Sequence, residues 1–331
     1  MTLVFEPAAE DPRPIAQAQT GVLERSHSRE DWDNQWYGPA RFKYQMVRSY
    51  EEAVAALVEQ GTGAKILAGG QSLVPMMNLR LACPTALIDL NGVVSARAMV
   101  EGDHLVLSAM CRYSSVLCSP FVRTLSPLLA EAVTHVGNVR VRNRGTLGGS
   151  LAHGQATAEL GAVVLALGGE IVALGPHGSR VICARDFFLG RLRTSLRSDE
   201  VVTALRLPLG SQRRGWAFKE MTRRRGNPAI VGVAVSLELA PGNDVIASVG
   251  VGLIGVADRP ICAAETVVSS LAGQSPTAEV LETAAAEVAE ATSPGSDVHA
   301  SGEYRRRLTR VLTRRALSEA LISAGGRVIG A

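Results

Sequence analysis

Two glycine pairs beside hydroxyl side chains are the residues in this sequence best suited to chemistry. They are Ala68-Gly69-Gly70-Gln71-Ser72 and, about 80 positions downstream, Arg142-Asn143-Arg144-Gly145-Thr146-Leu147-Gly148-Gly149-Ser150. Consecutive glycines let the main chain turn with positive φ, and successive amide N–H groups in such a turn converge into an anion-binding nest. A helix that follows adds its N-terminal dipole and free N–H groups to the same anion. One corner alone is equally well a tight turn, and the second alone a mobile basic loop. Two matched corners could grip a single pyrophosphate from opposite sides.

Other motifs carry less. Gly250-Val251-Gly252-Leu253-Ile254-Gly255 satisfies GxGxxG, but a dinucleotide fingerprint must open directly into a helix. Here Ala257-Asp258-Arg259-Pro260 follows, which predicts a strand thinned by glycine for close packing. The run Tyr304-Arg305-Arg306-Arg307-Leu308-Thr309-Arg310, with Arg314 and Arg315 beyond, predicts a helix with a solvated basic side, or one facing an acidic partner. Leu308, Val311 and Leu312 would then point inward. No GxSxG, HExxH or GxxxxGK[ST] occurs, so the chain reads as a holder of a cofactor and not as a site of nucleophilic or zinc chemistry.

The elements that must position these corners follow from composition and punctuation. At roughly 150 residues per domain, 331 residues suggest about two domains, with one or three possible. Hydrophobic residues at 47% and charged residues at 20% are those of a globular chain, and aromatics at 4% leave the core to Val, Leu, Ile and Ala. A formal charge of +3 argues against nucleic-acid binding. The five cysteines are odd in number and lack CxxC spacing, which disfavours disulfides, structural zinc and an iron–sulfur cluster held by this chain alone. No run reaches the ~18 apolar residues of a membrane span, and the N-terminus lacks the apolar core of a signal peptide. The expectation is a cytoplasmic protein with no stable membrane insertion.

Residues 1–40 are polar and aperiodic, and are read as an extended arm, disordered or wrapped on a partner. Ser49 and Glu52 predict a capped helix ended by Gly61. Lys65 to Ala68 predicts a short buried strand emptying into the first corner. ALIDLNGV (86–93) and HLVLSAM (104–110) read as strands, 120–137 as largely helical, 139–150 as a loop, and AELGAVVLALG as a helix. EIVALGPHGSRVICA reads as a hairpin and Leu205–Pro208 as a strand. Beyond about residue 212, long antiparallel strands precede amphipathic helices over Thr277–Ala291 and Tyr304–Ala324. The whole is α+β.

With these residues in place, AKILAGGQSLVPMMNLRLACPTALIDLNGV, VGNVRVRNRGTLGGSLAHGQATAEL, DFFLGRLRTSLRSDEVVTALRLP and FKEMTRRRGNPAIVGVAV resemble the FAD-binding medium subunit of molybdenum hydroxylases, a family that includes carbon monoxide and xanthine dehydrogenases. The resemblance runs from about Arg41 to Ala324. It implies a vanillyl-alcohol-oxidase/PCMH-type FAD-binding fold, with two α+β subdomains (41–97 and 98–211) and a C-terminal α+β domain (212–331). It implies FAD in this chain, with molybdopterin and 2Fe-2S clusters in a large and a small partner subunit, assembled as a dimer of heterotrimers. Electrons would pass from the clusters to FAD here and on to an acceptor such as NAD or a quinone. Carried over, Leu67, Ala68, Gly69, Gly70, Gln71, Ser72 and Leu73 cradle the pyrophosphate, and Thr146, Gly148, Gly149 and Ser150 hold it from the other side. Glu159 accepts hydrogen bonds from sugar or ribityl hydroxyls, Val136 meets the adenine end, and Lys219 sits near the flavin.

The sequence also departs from the family. HGQATAEL replaces His-Ala-Asp-Pro-x-Ala-Glu-Leu, Leu192 stands where many members place a Tyr beside the isoalloxazine, and Asn227-Pro228 replaces an Asp followed by an aromatic or aliphatic residue. Loss of a nearby carboxylate favours an anionic reduced flavin, so the expectation is a raised potential and an altered choice of acceptor. A stand-alone flavin oxidoreductase of the same fold, and a non-enzymatic relative that has lost its cofactor, are the alternatives.

Overall fold

The computed structural model describes residues 38–94, 98–242 and 244–329. The arm expected over 1–40 lies, up to Tyr37, outside the described residues. The first sheet is parallel, with β1 (Lys43–Met46), β2 (Ala64–Leu67) and β3 (Ala86–Asp89) in the order β1-β3-β2. Successive parallel strands need crossovers; α1 (Tyr50–Gln60) carries the chain from β1 to β2, leaving between them the place that β3 fills. Ser49 Oγ accepts the Glu52 N–H at 3.1 Å, while the Glu52 carboxylate takes the N–H of Arg48 at 2.7 Å, one residue earlier than a standard capping box. β3 is buried throughout, but of β2 only Ala64 is. The strand expected to be buried over Lys65–Ala68 is instead open, because it borders the groove described below. A short helix, α2 (Leu73–Asn78), follows the first corner.

The second sheet is antiparallel. Its strands β4 (Ala98–Glu101), β5 (His104–Ser108), β6 (Glu170–Gly175), β7 (Gly178–Cys183) and β10 (Val201–Pro208) run in the order β4-β5-β10-β6-β7, with β8 (Phe188–Gly190) and β9 (Arg193–Thr194) forming a small hairpin ahead of β10. Short helices fill the β5–β6 connection: α3 (Tyr113–Cys118), α4 (Pro120–Leu125), α5 (Pro127–Val133), α6 (Val139–Arg144), α7 (Leu147–His153) and α8 (Glu159–Ala166). The helix expected over 120–137 divides at Ser126, because Pro127 forces its predecessor out of the α region. The stretch expected as a loop is α6 and α7. Asn138 Oδ1 accepts the N–H groups of Arg140 and Val141, and Thr146 Oγ1 accepts that of Gly149 at 3.1 Å. Two polar caps and tertiary packing outweigh the β-branched valines of α6 and the glycines of α7, which argue against helix.

The third sheet holds β11 (Arg214–Met221), β12 (Val231–Leu239), β13 (Ile246–Ile254) and β14 (Ile261–Cys262) in sequence order, all antiparallel. Helices α9 (Glu265–Leu271), α10 (Ala278–Glu290) and α11 (Gly302–Ser323) pack with it. On the face away from α11 lies α8. A Cβ on Gly250 would meet the Ala166 carbonyl oxygen at 2.1 Å, and one on Gly252 that of Ala162 at 2.0 Å. The GxGxxG run is therefore strand through Ile254, as its sequence context predicts, and Gly250 and Gly252 admit a helix backbone. Arg305 corrects the basic-face expectation: it is buried, donating to the carbonyls of Ile230 and Gly255 and to Asp297 at 2.7 Å. Val311, expected inward, is exposed. Among the described residues no helix is long and apolar enough to cross a membrane, and no group of three or more His, Cys, Asp or Glu could hold a metal. Gly252→Val should lower the unfolding free energy by about 1–3 kcal/mol, the usual range for overpacking, read by urea denaturation.

Candidate functional site

The first corner is built from the end of β2 and the start of α2. Gly70 has φ +72°, a region only glycine enters freely. Asn91 Nδ2 holds the carbonyl of Ala68 at 3.0 Å, and Gln71 Nε2 that of Gly69 at 3.1 Å. Among the described residues, none of the main-chain N–H groups of Gly69 through Leu73 has a protein acceptor. They form a set of open donors at one turn, which is what an anion nest requires.

The second corner lies directly against the first. A Cβ on Gly69 would meet Arg144 O at 2.4 Å and Gly145 Cα at 2.8 Å, and one on Gly149 would sit 3.5 Å from Ala68 Cβ. The two corners are not equivalent. The N–H groups of Leu147, Gly148, Gly149 and Ser150 are already committed to Cys111 O, Ala109 O, Thr146 Oγ1 and Thr146 O. The second corner thus offers a flat wall at Gly149 and the hydroxyl of Ser150, which bonds the phenol of Tyr113; burial pushes that phenol well above its ordinary pKa.

Residues that sequence reasoning missed lock the corners together. Asp89 accepts from Tyr44 Oη at 2.7 Å, from Asn91 N at 2.8 Å and from the Asn91 amide. Arg112 donates both to Asn91 Oδ1 and to the Arg144 carbonyl. An Asp two residues before an Asn at a strand end is a legible turn signal. Arg112 has no local signature, since its partners are 21 and 32 residues away.

Both corners open on a single groove of about 800 Å³. Ala68, Gly69, Gly70, Gln71, Ser72, Leu73, Val136, Thr146, Gly148, Gly149, Ser150, Glu159, Leu192 and Asn227 all line it. Leu67 instead lines an adjoining cavity of about 380 Å³ with Asp89 and Asn91. Lys219 lines neither; its ammonium pairs with Glu319 of α11 at 2.6 Å. Leu192 sits in the turn between β8 and β9 with φ +52°, an unfavourable conformation for a side chain of this kind, and is 44% exposed. His153, which sequence reasoning did not select, also borders the groove, its imidazole pKa lowered by burial.

Glu159 opens α8 at the groove wall. Burial pushes its carboxyl up to about 7, and the charge of Glu220 adds to the rise, while its own backbone N–H and His135 oppose it. Open amide donors at one turn, a groove running from Val136 to Leu192, and a buried carboxyl able to meet a hydroxyl together fit a dinucleotide-sized ligand with a central diphosphate, the shape of FAD.

Comparison with known proteins agrees. Residues 40–210 match the FAD binding domain in molybdopterin dehydrogenase, and residues 216–320 the CO dehydrogenase flavoprotein C-terminal domain. The chain is 37% identical over 283 residues to the carbon monoxide dehydrogenase medium chain of Hydrogenophaga pseudoflava, covering 85% of this chain and 98% of that one. It is 39% identical over 281 residues to the nicotine 6-hydroxylase medium subunit of Paenarthrobacter nicotinovorans, covering 84% and 96%. Among solved structures, carbon monoxide dehydrogenase from Hydrogenophaga pseudoflava superposes with a TM-score of 0.83 at 35% identity, over 86% of this chain and 99% of that chain. Quinoline 2-oxidoreductase from Pseudomonas putida 86 gives 0.81 at 32%, over 87% and 99%. Fold and groove define an FAD-binding flavoprotein. The chain belongs to the medium-subunit family of the molybdenum hydroxylases, the carbon monoxide dehydrogenase flavoproteins, and is thereby an oxidoreductase subunit.

Because the carboxyl of Glu159 is raised in the fold, its stabilising contribution is complete below the ordinary value of 4.5 and is lost as pH rises through about 7. A shift of this size corresponds to on the order of 3 kcal/mol. The flavin-free protein should lose stability across that window, and Glu159→Gln should flatten the dependence, measured by urea unfolding at a series of pH values.

Proposed function

We propose that this chain binds FAD along the groove and acts as the electron-transfer subunit of a heterotrimeric molybdenum hydroxylase, in the cytoplasm. A small subunit with two 2Fe-2S clusters would deliver electrons taken from substrate at a large molybdopterin subunit, and an external acceptor would collect them. The observation that carries this reading is the convergence of two corners, one bearing open N–H donors, on one groove in a chain of this family. When bound, FAD supplies the redox chemistry. The protein binds, orients and shields it.

In this reading the N–H groups from Gly69 to Leu73, with the Ser72 hydroxyl, hold the diphosphate. Gly149 and Ser150 wall its other side, backed by Thr146 and Gly148. Val136 borders the adenine end, Glu159 meets sugar or ribityl hydroxyls, and Leu192 and Asn227 border the flavin end. Residues 41–97, 98–211 and 212–331 act as the three structural units. Lys219, paired with Glu319, serves the C-terminal domain and has no direct part in binding.

Gly70→Val and Gly149→Val should each weaken FAD binding by about tenfold or more, equivalent to about 1.4 kcal/mol, read by flavin absorbance against protein after gel filtration. Full occupancy in both variants would overturn the placement. Co-expression with the partner chains should yield a complex containing molybdenum and iron whose flavin is reduced on adding the complex's substrate. Turnover of a small molecule by this chain alone would favour the stand-alone oxidoreductase. Asn227→Asp should lower the flavin midpoint, because a carboxylate at the rim repels the negative charge of the reduced form; spectroelectrochemistry measures it.

A further inference from the structure

Two turns that border the groove carry arginine. Arg191-Leu192-Arg193 spans the turn from β8 to β9, and Arg223-Arg224-Arg225 precede Gly226 and Asn227 in the connection from β11 to β12. Leu192, Arg193, Gly226, Asn227 and Pro228 all line the groove, as does Arg197. The second turn is closed by its own main chain: Ile230 N–H donates to Met221 O at 2.7 Å and Asn227 N–H to Arg224 O at 3.0 Å, with Gly226 at φ +85°. Its three arginines are thus presented from a fixed turn, and all are exposed, as are Arg191, Arg193 and Arg197. None of these guanidinium groups meets a carboxylate among the described residues. Further back along β11 the basic side chains are paired, Arg214 with Glu238 at 3.2 Å and Lys219 with Glu319 at 2.6 Å. Nor does the groove wall offset the arginines. Its carboxylates are Glu159 and Glu200, both 8% exposed, and Glu200 is spent on Arg180 at 2.7 Å and on the Arg197 N–H at 2.8 Å. Unpaired charges of one sign around one cleft leave a field that reaches about 10 Å at 0.1 M salt and steers an incoming anion.

We propose that these arginines, set around the exposed Leu192 and Pro228, form the docking surface for an acidic electron-carrier protein that collects electrons from the flavin. A small anion calls for buried, converging donors; these side chains are exposed and spread over two turns, which suits the charged face of a protein. A permanent subunit calls for a broad apolar centre. Here the apolar surface is a pair of side chains beside a border of charge, the composition of a short-lived, electrostatically guided encounter. In each encounter one electron leaves the reduced flavin and one enters the carrier. Two carriers therefore reoxidise one fully reduced flavin, and the protons it held pass to solvent.

The proposal rests on the FAD reading, and its test separates the two. The probes are cytochrome c, which is basic, and the same protein succinylated on its lysines, which is acidic, so that charge is reversed on one haem. The full FAD-loaded chain is reduced anaerobically with dithionite, and its reoxidation by each probe is followed by stopped flow. At low ionic strength the acidic probe should react about tenfold or more faster than the basic one. That ratio should fall toward one at about 1 M salt, where screening acts within about 3 Å. Replacing Arg223, Arg224 and Arg225 together with Gln should collapse the ratio, replacing them with Glu should invert it, and replacing them with Lys should keep it. The ratio cancels any change in flavin potential that both probes feel alike. The same preference should persist in the assembled complex. A wild-type ratio near one, or a ratio unmoved by the Glu variant, would overturn the docking surface alone. So would a preference seen in the isolated chain and lost in the complex, which would assign the arginines to the iron–sulfur subunit. A chain that takes up no FAD would instead overturn the proposed function.

Discussion

The contact between Gly69 and the Arg144–Gly145 peptide is the constraint on which the site depends. At a separation where a Cβ would lie 2.4 Å from a carbonyl oxygen, no other residue type fits without moving the backbone. The contact joins the parallel sheet to the helical insert of the second sheet and so defines the floor of the groove. It also fixes which way the first corner faces. Its amide donors are left without protein partners because the chain has turned them toward the groove and away from its own carbonyls.

That geometry divides the labour between the corners. An anion nest is selective only if its N–H groups are held rigid and unspent. The first corner meets both conditions, braced by the chain of hydrogen bonds from Asp89 through Asn91 to Arg112 and Arg144 O. The second spends its N–H groups on Ala109, Cys111 and Thr146 to hold itself in place. It contributes shape: a flat glycine surface and a hydroxyl tied to a buried phenol.

The third sheet is coupled to the groove through α8. The same helix that begins with Glu159 at the groove wall lies on the Gly250 and Gly252 backbone further along. Placement of the Glu159 carboxyl therefore depends on how the C-terminal sheet is packed, and the charge of Glu220 on β11 adds to the rise that burial imposes on that carboxyl. Binding, electrostatics and domain packing meet in one eight-residue helix.

Much of this was legible in the residue order. The strand nature of the GxGxxG run followed from its failure to open into a helix, and the two glycine–hydroxyl corners carried the family resemblance and the part of the groove lining where the two meet. Other features were hidden. Helices α6 and α7 read as loop because their caps, Asn138 and Thr146, compete locally with β-branched valines and glycines, and only packing settles the contest. Arg305 looked solvated because local pattern cannot reveal the Ile230 and Gly255 carbonyls that bury it. Lys219 lay at a position matched to the flavin region, yet pairs with Glu319, a hundred residues away. The sequence by itself determined the elements, the family and the corners, because caps, glycines and apolar periods act over a few residues. Only the tertiary structure decided which N–H groups remain free, which side chains share the groove and which charges feel one another, because those depend on distances between segments that the order of residues does not specify.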